Sequence, residues 1–215
     1  MCIRDSLIAL VLRFTGEGEV FYKQERIGKH GEPFQLVKFA TMLKNSPAMG
    51  TRDITVKNDP RVLPVGRLLR KSKLNEVPQL WNILVGEMSV VGPRPQTPRN
   101  FEYFPVEDRA VITSMRPGLT GIGSIVFRDE ESIVARSTKS VEACYREDIA
   151  PYKAALERWY YAHQGPVTYI SVILATAWVV VFPSARVYDS IWPSLPPVPE
   201  ALRTDLGGRA SSKIA

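Results

Sequence analysis

Residues 67–98 read Arg-Leu-Leu-Arg-Lys-Ser-Lys-Leu-Asn-Glu-Val-Pro-Gln-Leu-Trp-Asn-Ile-Leu-Val-Gly-Glu-Met-Ser-Val-Val-Gly-Pro-Arg-Pro-Gln-Thr-Pro, and the rest of the chain is organised around them. Asn75 suits the N-cap of a short helix, because its side-chain oxygen can accept a free first-turn N–H. Glu76 complements the positive end of the helix dipole, and Pro78 fits a turn that needs no donor there. Val77, Leu80, Trp81 and Leu84 recur at i, i+3, i+4 and i+7, so one face of the helix is expected to be buried. Arg70, Lys71 and Lys73 precede the cap, and Gly92-Pro93-Arg94-Pro95 follows as a rigid loop carrying another arginine. Cations and free backbone donors thus converge on one terminus. Such a terminus favours anions, and arginine recognises phosphate oxygens in a planar, bidentate way, so the expected ligand carries phosphate.

At 215 residues and 45% hydrophobic, the chain can bury one core. Its net charge of +6 is concentrated early, with twelve Lys/Arg against four Asp/Glu over residues 20–73. Charge alone admits nucleotide diphosphates, anionic lipid headgroups or nucleic acid. Cys2 and Cys144 form neither a disulfide framework nor a zinc cluster, which suits a reducing cytoplasm.

The stretch Leu-Arg-Lys-Ser-Lys-Leu-Asn-Glu-Val-Pro-Gln-Leu, with Gly-Glu-Met-Ser and Gly-Pro-Arg-Pro after it, resembles the core of the bacterial sugar transferases. These are monotopic polyprenyl-phosphate phosphoglycosyl transferases, whose usual form is Leu-Arg-Lys-Thr-Ser-Leu-Asp-Glu-Leu-Pro-Gln-Leu, then Gly-Asp-Met-Ser and Gly-Pro-Arg-Pro. Further matches are Gln24-Glu25-Arg26-Ile27-Gly28, Lys38-Phe39-Ala40-Thr41-Met42 and Arg116-Pro117-Gly118-Leu119-Thr120-Gly121. The chain departs from the pattern at Ala40, where the family has arginine, at Asn75, where it has aspartate, and at Tyr169, where it often has aspartate.

The resemblance implies transfer of a sugar-1-phosphate from a UDP-sugar to undecaprenyl or another polyprenyl phosphate, releasing UMP. That reaction initiates exopolysaccharide, capsule, O-antigen or glycoconjugate synthesis on the cytoplasmic face of the bacterial inner membrane. It implies UDP-sugar, polyprenyl phosphate and membrane lipids as partners, no nucleic acid, and Mg²⁺ as cofactor. In the family the aspartate attacks the β-phosphate and the adjacent glutamate helps hold Mg²⁺. On this chain the catalytic pair falls on Asn75 and Glu76. An amide is a poor nucleophile, so Asn75 reads as a cap, while Glu76 is the expected Mg²⁺ ligand or a helix-dipole glutamate. Arg70 and Arg94 are the expected phosphate clamps, with Arg128 and Lys38 after them. Glu87 falls on the acidic position of Gly-Asp/Glu-Met-Ser, where a structural role serves as well.

Outside the core stretch, residues 20–27 and 34–39 flank a Gly-containing turn and read as a β-hairpin. Residues 43–60 read as a polar loop, either an active-site cover or ordinary surface. Asp148 can cap a helix with Pro151 in its first turn, on which Tyr152, Ala155, Leu156, Trp159, Tyr160 and His163 form a stripe that is more often core than ligand platform. Val167 to Phe182 is almost wholly apolar, but its sixteen residues fall short of the roughly 20 needed to cross a bilayer, so it reads as buried or interfacial.

The expected architecture is α+β: a small hairpin, several short helices and a monotopic relation to the membrane. Residues 1–17 are expected to be the remnant of a membrane-inserting helix in an N-terminally incomplete chain, 18–182 the catalytic domain, and 183–215 a Pro/Gly-rich, poorly ordered tail. Two other readings compete. Asn75, Ala40 and Tyr169 suit a pseudoenzyme that binds the same ligands without turnover. The basic surface suits a DNA-binding protein with residues 65–71 and 76–85 as helix-turn-helix, though Pro78 and the apolar 167–182 stretch fit that poorly. The sequence encodes neither the sugar's identity nor the oligomeric state.

Overall fold

The hairpin forms where two runs carrying Phe21, Tyr22, Phe34 and Phe39 alternate between more and less exposed side chains. Strand β1 (Phe21–Ile27) pairs antiparallel with β2 (Pro33–Phe39), in a register running from Phe21 opposite Phe39 to Ile27 opposite Pro33. Phe21 and Phe39 stack with ring centroids 5.6 Å apart, and the turn reverses through His30 and Gly31, at φ of 60° and 82°. This computed structural model describes residues 3–15, 17–182 and 186–207. Cys2, and residues 183–185 and 208–215 of the Pro/Gly-rich tail, lie outside the described residues.

Helix α1 (Ile3–Phe14) precedes the hairpin and buries Leu12 against Phe39 and against Leu69 of α2 (Pro64–Lys71). A 3₁₀ turn over Leu74–Glu76 then leads into α3 (Gln79–Leu84). Two short strands, β3 (Ser89–Val91) and β4 (Gly118–Thr120), pair in parallel. They bring the Gly-Pro-Arg-Pro and Arg-Pro-Gly motifs together, and a Cβ on Gly118 would lie 2.1 Å from the Gly92 nitrogen, so only glycine permits the approach. Between them come α4 (Pro98–Phe101) and α5 (Val106–Ser114), and after them α6 (Ile122–Val126), α7 (Glu130–Arg136) and α8 (Val141–Cys144). The main core lies where α5 and α6 meet α9 (Ala150–Ala162) and α10 (Pro166–Val181), around Ile122, Ile149, Leu156 and Val172. The architecture is α+β, and no helix among the described residues is long and apolar enough to cross a membrane.

Three expectations are corrected. The helix after Asn75 is inverted: its buried side chains are Gln79 and Asn82, while Leu80, Trp81 and Leu84 are 53%, 61% and 77% exposed. The cause is a polar anchor. Asn82 Nδ2 donates to the Gln35 carbonyl at 2.8 Å and Oδ1 accepts from the Val37 N–H at 3.1 Å, so one amide satisfies groups along the edge of β2 that would otherwise stand unpaired. Glu87 completes the anchor, accepting from Asn82 Nδ2 at 2.7 Å, which gives it a structural place.

Asp148 does not cap α9. It sits within a π-helical turn, Tyr145–Ile149, that runs straight into α9, and its carboxylate takes Lys139 Nζ at 2.8 Å. Tyr152, Leu156 and Tyr160 of the aromatic stripe are buried, whereas His163 is exposed and stacks on Trp159 at 4.2 Å. Residues 186–207, inside the stretch whose composition suggests poor order, are folded. Helices α11 (Tyr188–Ile191) and α12 (Arg203–Leu206), with the residues flanking them, bury Tyr188, Trp192, Leu202 and Leu206 on the main core. Side-chain hydrogen bonds tie the segment to the core: Tyr152 donates to the Pro196 carbonyl at 3.0 Å, and Trp192 Nε1 donates to Ser171 Oγ at 3.1 Å. Composition misses the order here, because a few large aromatics supply the burial that holds the segment.

Candidate active site

The chain reverses after α2 at Lys73, whose φ of 59° is left-handed, an uncommon conformation for a residue with a Cβ. The reversal lays the 3₁₀ turn carrying Asn75 and Glu76 against β2. Lys38, Arg70, Asn75, Glu76, Arg94 and Arg128 all line one cavity of about 1300 Å³. The six residues singled out in the sequence, spread over ninety positions, therefore share one space.

Its electrostatics are dominated by cations. Burial raises the Glu76 pKa, but Arg94, Lys73 and Lys38 outweigh it and hold the carboxyl down to about 2, with Arg94 donating to Glu76 Oε1 at 2.9 Å. Burial, reinforced by Arg26, Arg70 and Arg94, pushes Lys38 down to about 7, so this amine sits at the edge of ionisation. Burial also lowers Arg128. Arg70 donates to Glu131 at 2.9 Å, which holds its guanidinium beside the cavity. An anion entering here would gain several charge-assisted contacts and relieve repulsion among the cations.

Asn75 is not a cap. It is 6% exposed, and its Oδ1 is buried with no hydrogen-bond partner, because the 3₁₀ turn starts two residues early and Lys73 takes the cap position without a side-chain bond. An unpaired buried amide oxygen costs about 1–3 kcal/mol. Tyr169, where the family often has aspartate, lies on α10 with its hydroxyl 3.5 Å from Ser89 Oγ. Ala40, in the place of a family arginine, is buried on the cavity wall.

For Mg²⁺ the donor set fits in a limited way. Glu76 is an ionised hard-oxygen ligand, and one carboxylate plus phosphate oxygens is a common Mg²⁺ arrangement. Among the described residues no group of three or more His, Cys, Asp or Glu could hold a metal, so the other ligands would have to come from phosphate and water.

Several residues escaped the sequence reading. Arg26, in the quoted Gln-x-Arg-x-Gly segment, lines the cavity, donates to the Pro95 carbonyl at 2.9 Å and to Gln24 at 2.7 Å, and leaves its Nε without a partner. Burial and then Arg94 lower its pKa to about 10. The motif itself was the available signal. Lys153 is buried on α9, ion-paired with Glu130 and 5.1 Å from the Tyr145 ring centroid. No local pattern marks a lysine that is polar in sequence and buried in space. Residues 52–59 of the polar loop line the cavity, and the loop is pinned by Arg61, whose guanidinium reaches the carbonyls of Ser46, Met49, Arg52 and Ile54.

Comparison with known proteins gives the same direction. The family model described as bacterial sugar transferase matches residues 3–183. The exopolysaccharide production protein ExoY of Rhizobium meliloti is 39% identical over 148 residues, covering 60% of this chain and 63% of that protein. The undecaprenyl-phosphate galactose phosphotransferase of Salmonella typhimurium is 36% identical over 127 residues, 53% of this chain and 26% of that protein. The UDP-glucose:undecaprenyl-phosphate glucose-1-phosphate transferase of Escherichia coli is 35% identical over 140 residues, 63% of this chain and 30% of that protein. The match spans less than two thirds of each of these relatives.

Proposed function

Because the chain belongs to the bacterial sugar transferase family, we propose that it moves a sugar-1-phosphate from a UDP-sugar to a polyprenyl phosphate and releases UMP, as an initiating step of exopolysaccharide or related glycoconjugate synthesis. The observation that carries this reading is the cationic cavity, which Lys38, Arg70, Arg94 and Arg128 line together with Glu76. Arg70 and Arg94 hold the diphosphate, and Lys38 and Arg128 complete its charge balance. With an amide at residue 75, transfer proceeds without an adduct there. An oxygen of the acceptor phosphate bonds to the β-phosphorus, the bond from that phosphorus to the bridging oxygen breaks, and UMP leaves. Mg²⁺ held by Glu76 would neutralise diphosphate charge. The amide favours one second reading, a protein that binds these ligands without turnover.

Replacing Arg94 or Arg70 by Ala is expected to weaken UDP-sugar binding by about 1.5 to 3 kcal/mol each, the worth of a hydrogen bond to a charged group. Calorimetric titration tests it, and unchanged affinity for both variants would remove them from the site. Lys38 gives the binding a pH signature. Its pKa is about 7 in the empty site and a diphosphate favours the charged amine, so binding should take up a proton above pH 7 and weaken as pH rises. Titration in buffers of different ionisation enthalpy reads that uptake. A heat independent of buffer at pH 8 would contradict it.

Attachment to the membrane face is part of the proposal. It is supported by apolar side chains turned outward on three helices, Leu7 and Leu10 on α1, Trp81 and Leu84 on α3, and Leu174 and Trp178 on α10, each more than half exposed. The protein is expected in the membrane fraction of lysed cells. Recovery in the soluble fraction at low salt without detergent would contradict this.

A further inference from the structure

Away from the phosphate-binding cations, α6 and α9 present a wall of different chemistry to the same cavity, through Gly123, Ser124, Lys153 and Glu157. Glu157 is 4% exposed. A Cβ at Gly123 would come within 2.6 Å of Oε1, so the glycine lets the carboxylate lie against the start of α6. The other oxygen, Oε2, is buried and has no hydrogen-bond partner. Ser124 Oγ, on the residue after that glycine, is likewise buried and unpartnered. Lys153, the nearby cation, is committed to Glu130.

Two side chains from adjoining elements therefore keep unused hydrogen-bonding capacity on the wall of a large cavity. Buried polar groups are ordinarily satisfied, so an orphan on each of two neighbouring elements of the same wall calls for partners. An anion does not fit, because a carboxylate would repel it. An apolar group does not fit, because it would leave both orphans in place. A hydroxyl fits both: it donates to Oε2, and another accepts from or donates to Ser124 Oγ. The cavity, at about 1300 Å³, exceeds the roughly 300–1,000 Å³ of ordinary small-molecule sites, which leaves room beyond a diphosphate.

We infer that Ser124 and Glu157 form a hydroxyl-binding subsite that holds the sugar of the nucleotide-sugar, an inference that rests on the proposed function above. Burial raises the Glu157 pKa to about 7, as expected of a carboxylate that still lacks a donor. A hydroxyl-binding carboxylate discriminates sharply, because an analogue without the matching hydroxyl leaves the buried acceptor unpaired. The subsite is thus the part of the cavity that selects among sugars.

The test compares UDP with a panel of UDP-hexoses and their deoxy analogues, by calorimetric titration against the parent, Glu157→Gln and Ser124→Ala, with thermal melts to establish folding. UDP should bind all three proteins within about twofold of one another. UDP-hexose affinity should fall about tenfold or more in Glu157→Gln and by a smaller factor in Ser124→Ala. At least one deoxy analogue should bind the parent weakly yet lose nothing further in a variant, which a merely structural role would not produce. If UDP-hexoses bind both variants as tightly as the parent, or if UDP and UDP-hexoses weaken equally, the subsite is refuted while the nucleotide site stands. If the parent does not bind UDP at all, the reading of the cavity fails first and the subsite with it. Should Glu157→Gln fail to fold, Ser124→Ala and the deoxy panel on the parent decide the matter.

Discussion

Replacing Arg61 by Ala is expected to destabilise the protein by about 3 to 5 kcal/mol, the usual consequence of leaving a buried charge without its partner. Arg61 is 3% exposed, and so is Asp59, whose carboxylate takes Arg61 Nε at 2.9 Å and Nη2 at 2.6 Å. The remaining N–H groups reach four backbone carbonyls at 2.7–3.0 Å and Thr51 Oγ1 at 3.0 Å. One guanidinium thus substitutes for the ladder that residues 46–59 lack. Without it, Asp59 and those carbonyls are stranded, and the loop that lines the cavity loses its shape. Denaturant unfolding measures the stability, and limited proteolysis should gain a cleavage site within residues 46–59. A loss below 1 kcal/mol, with no new cleavage, would show that the clasp is redundant. Lysine should not rescue it, since a point charge cannot serve so many acceptors at once.

The second large effect is expected at Asn75. Asn75→Asp keeps the size of the side chain and places a carboxylate where Oδ1 now has no partner, among the cations that hold Glu76 ionised. That carboxylate could bond to the β-phosphorus of a UDP-sugar while UMP leaves, and the phosphosugar would then pass to the polyprenyl phosphate. Supplying a missing nucleophile is worth about 10³-fold or more in rate when the rest of a site is in place. UMP release should rise by about that factor, and intact-protein mass spectrometry should find a phosphosugar on residue 75. Thermal melting should change little. A variant no faster than its parent would mean that residue 75 is not the point of attack. An adduct at Glu76 in the parent would assign that role to the neighbouring carboxylate.

The hairpin and the cluster of cations in the cavity could be read in the sequence because both follow local rules. β-rich runs around a Gly-containing turn marked β1 and β2, and cations flanking the Asn75 turn, one before it and one in the Gly-Pro-Arg-Pro loop, marked Arg70 and Arg94. The same rules misplaced α3. Its apolar stripe signals an apolar environment, and the protein core is only one such environment; the decisive fact was Asn82 reaching the edge of β2, a contact across 45 residues of sequence. The Asn75 cap failed for a related reason, since the left-handed turn at Lys73 moved the start of the helical segment. Arg61 could not be read at all, because its partners are mostly backbone carbonyls, which leave no trace in residue identity. Glu157 was hidden in a stripe scored for its aromatics, and no local pattern marked Ser124.

The proposed transfer places a UDP-sugar in this cavity. Its most direct test is UMP release from a panel of UDP-sugars, in membranes containing undecaprenyl phosphate and Mg²⁺, for the parent and Asn75→Asp side by side. Slow release by the parent that depends on the acceptor lipid, faster release by the variant, and loss of both on adding Arg94→Ala is the expected result. No UMP from either protein with any UDP-sugar, despite intact folding and membrane binding, would contradict the assignment.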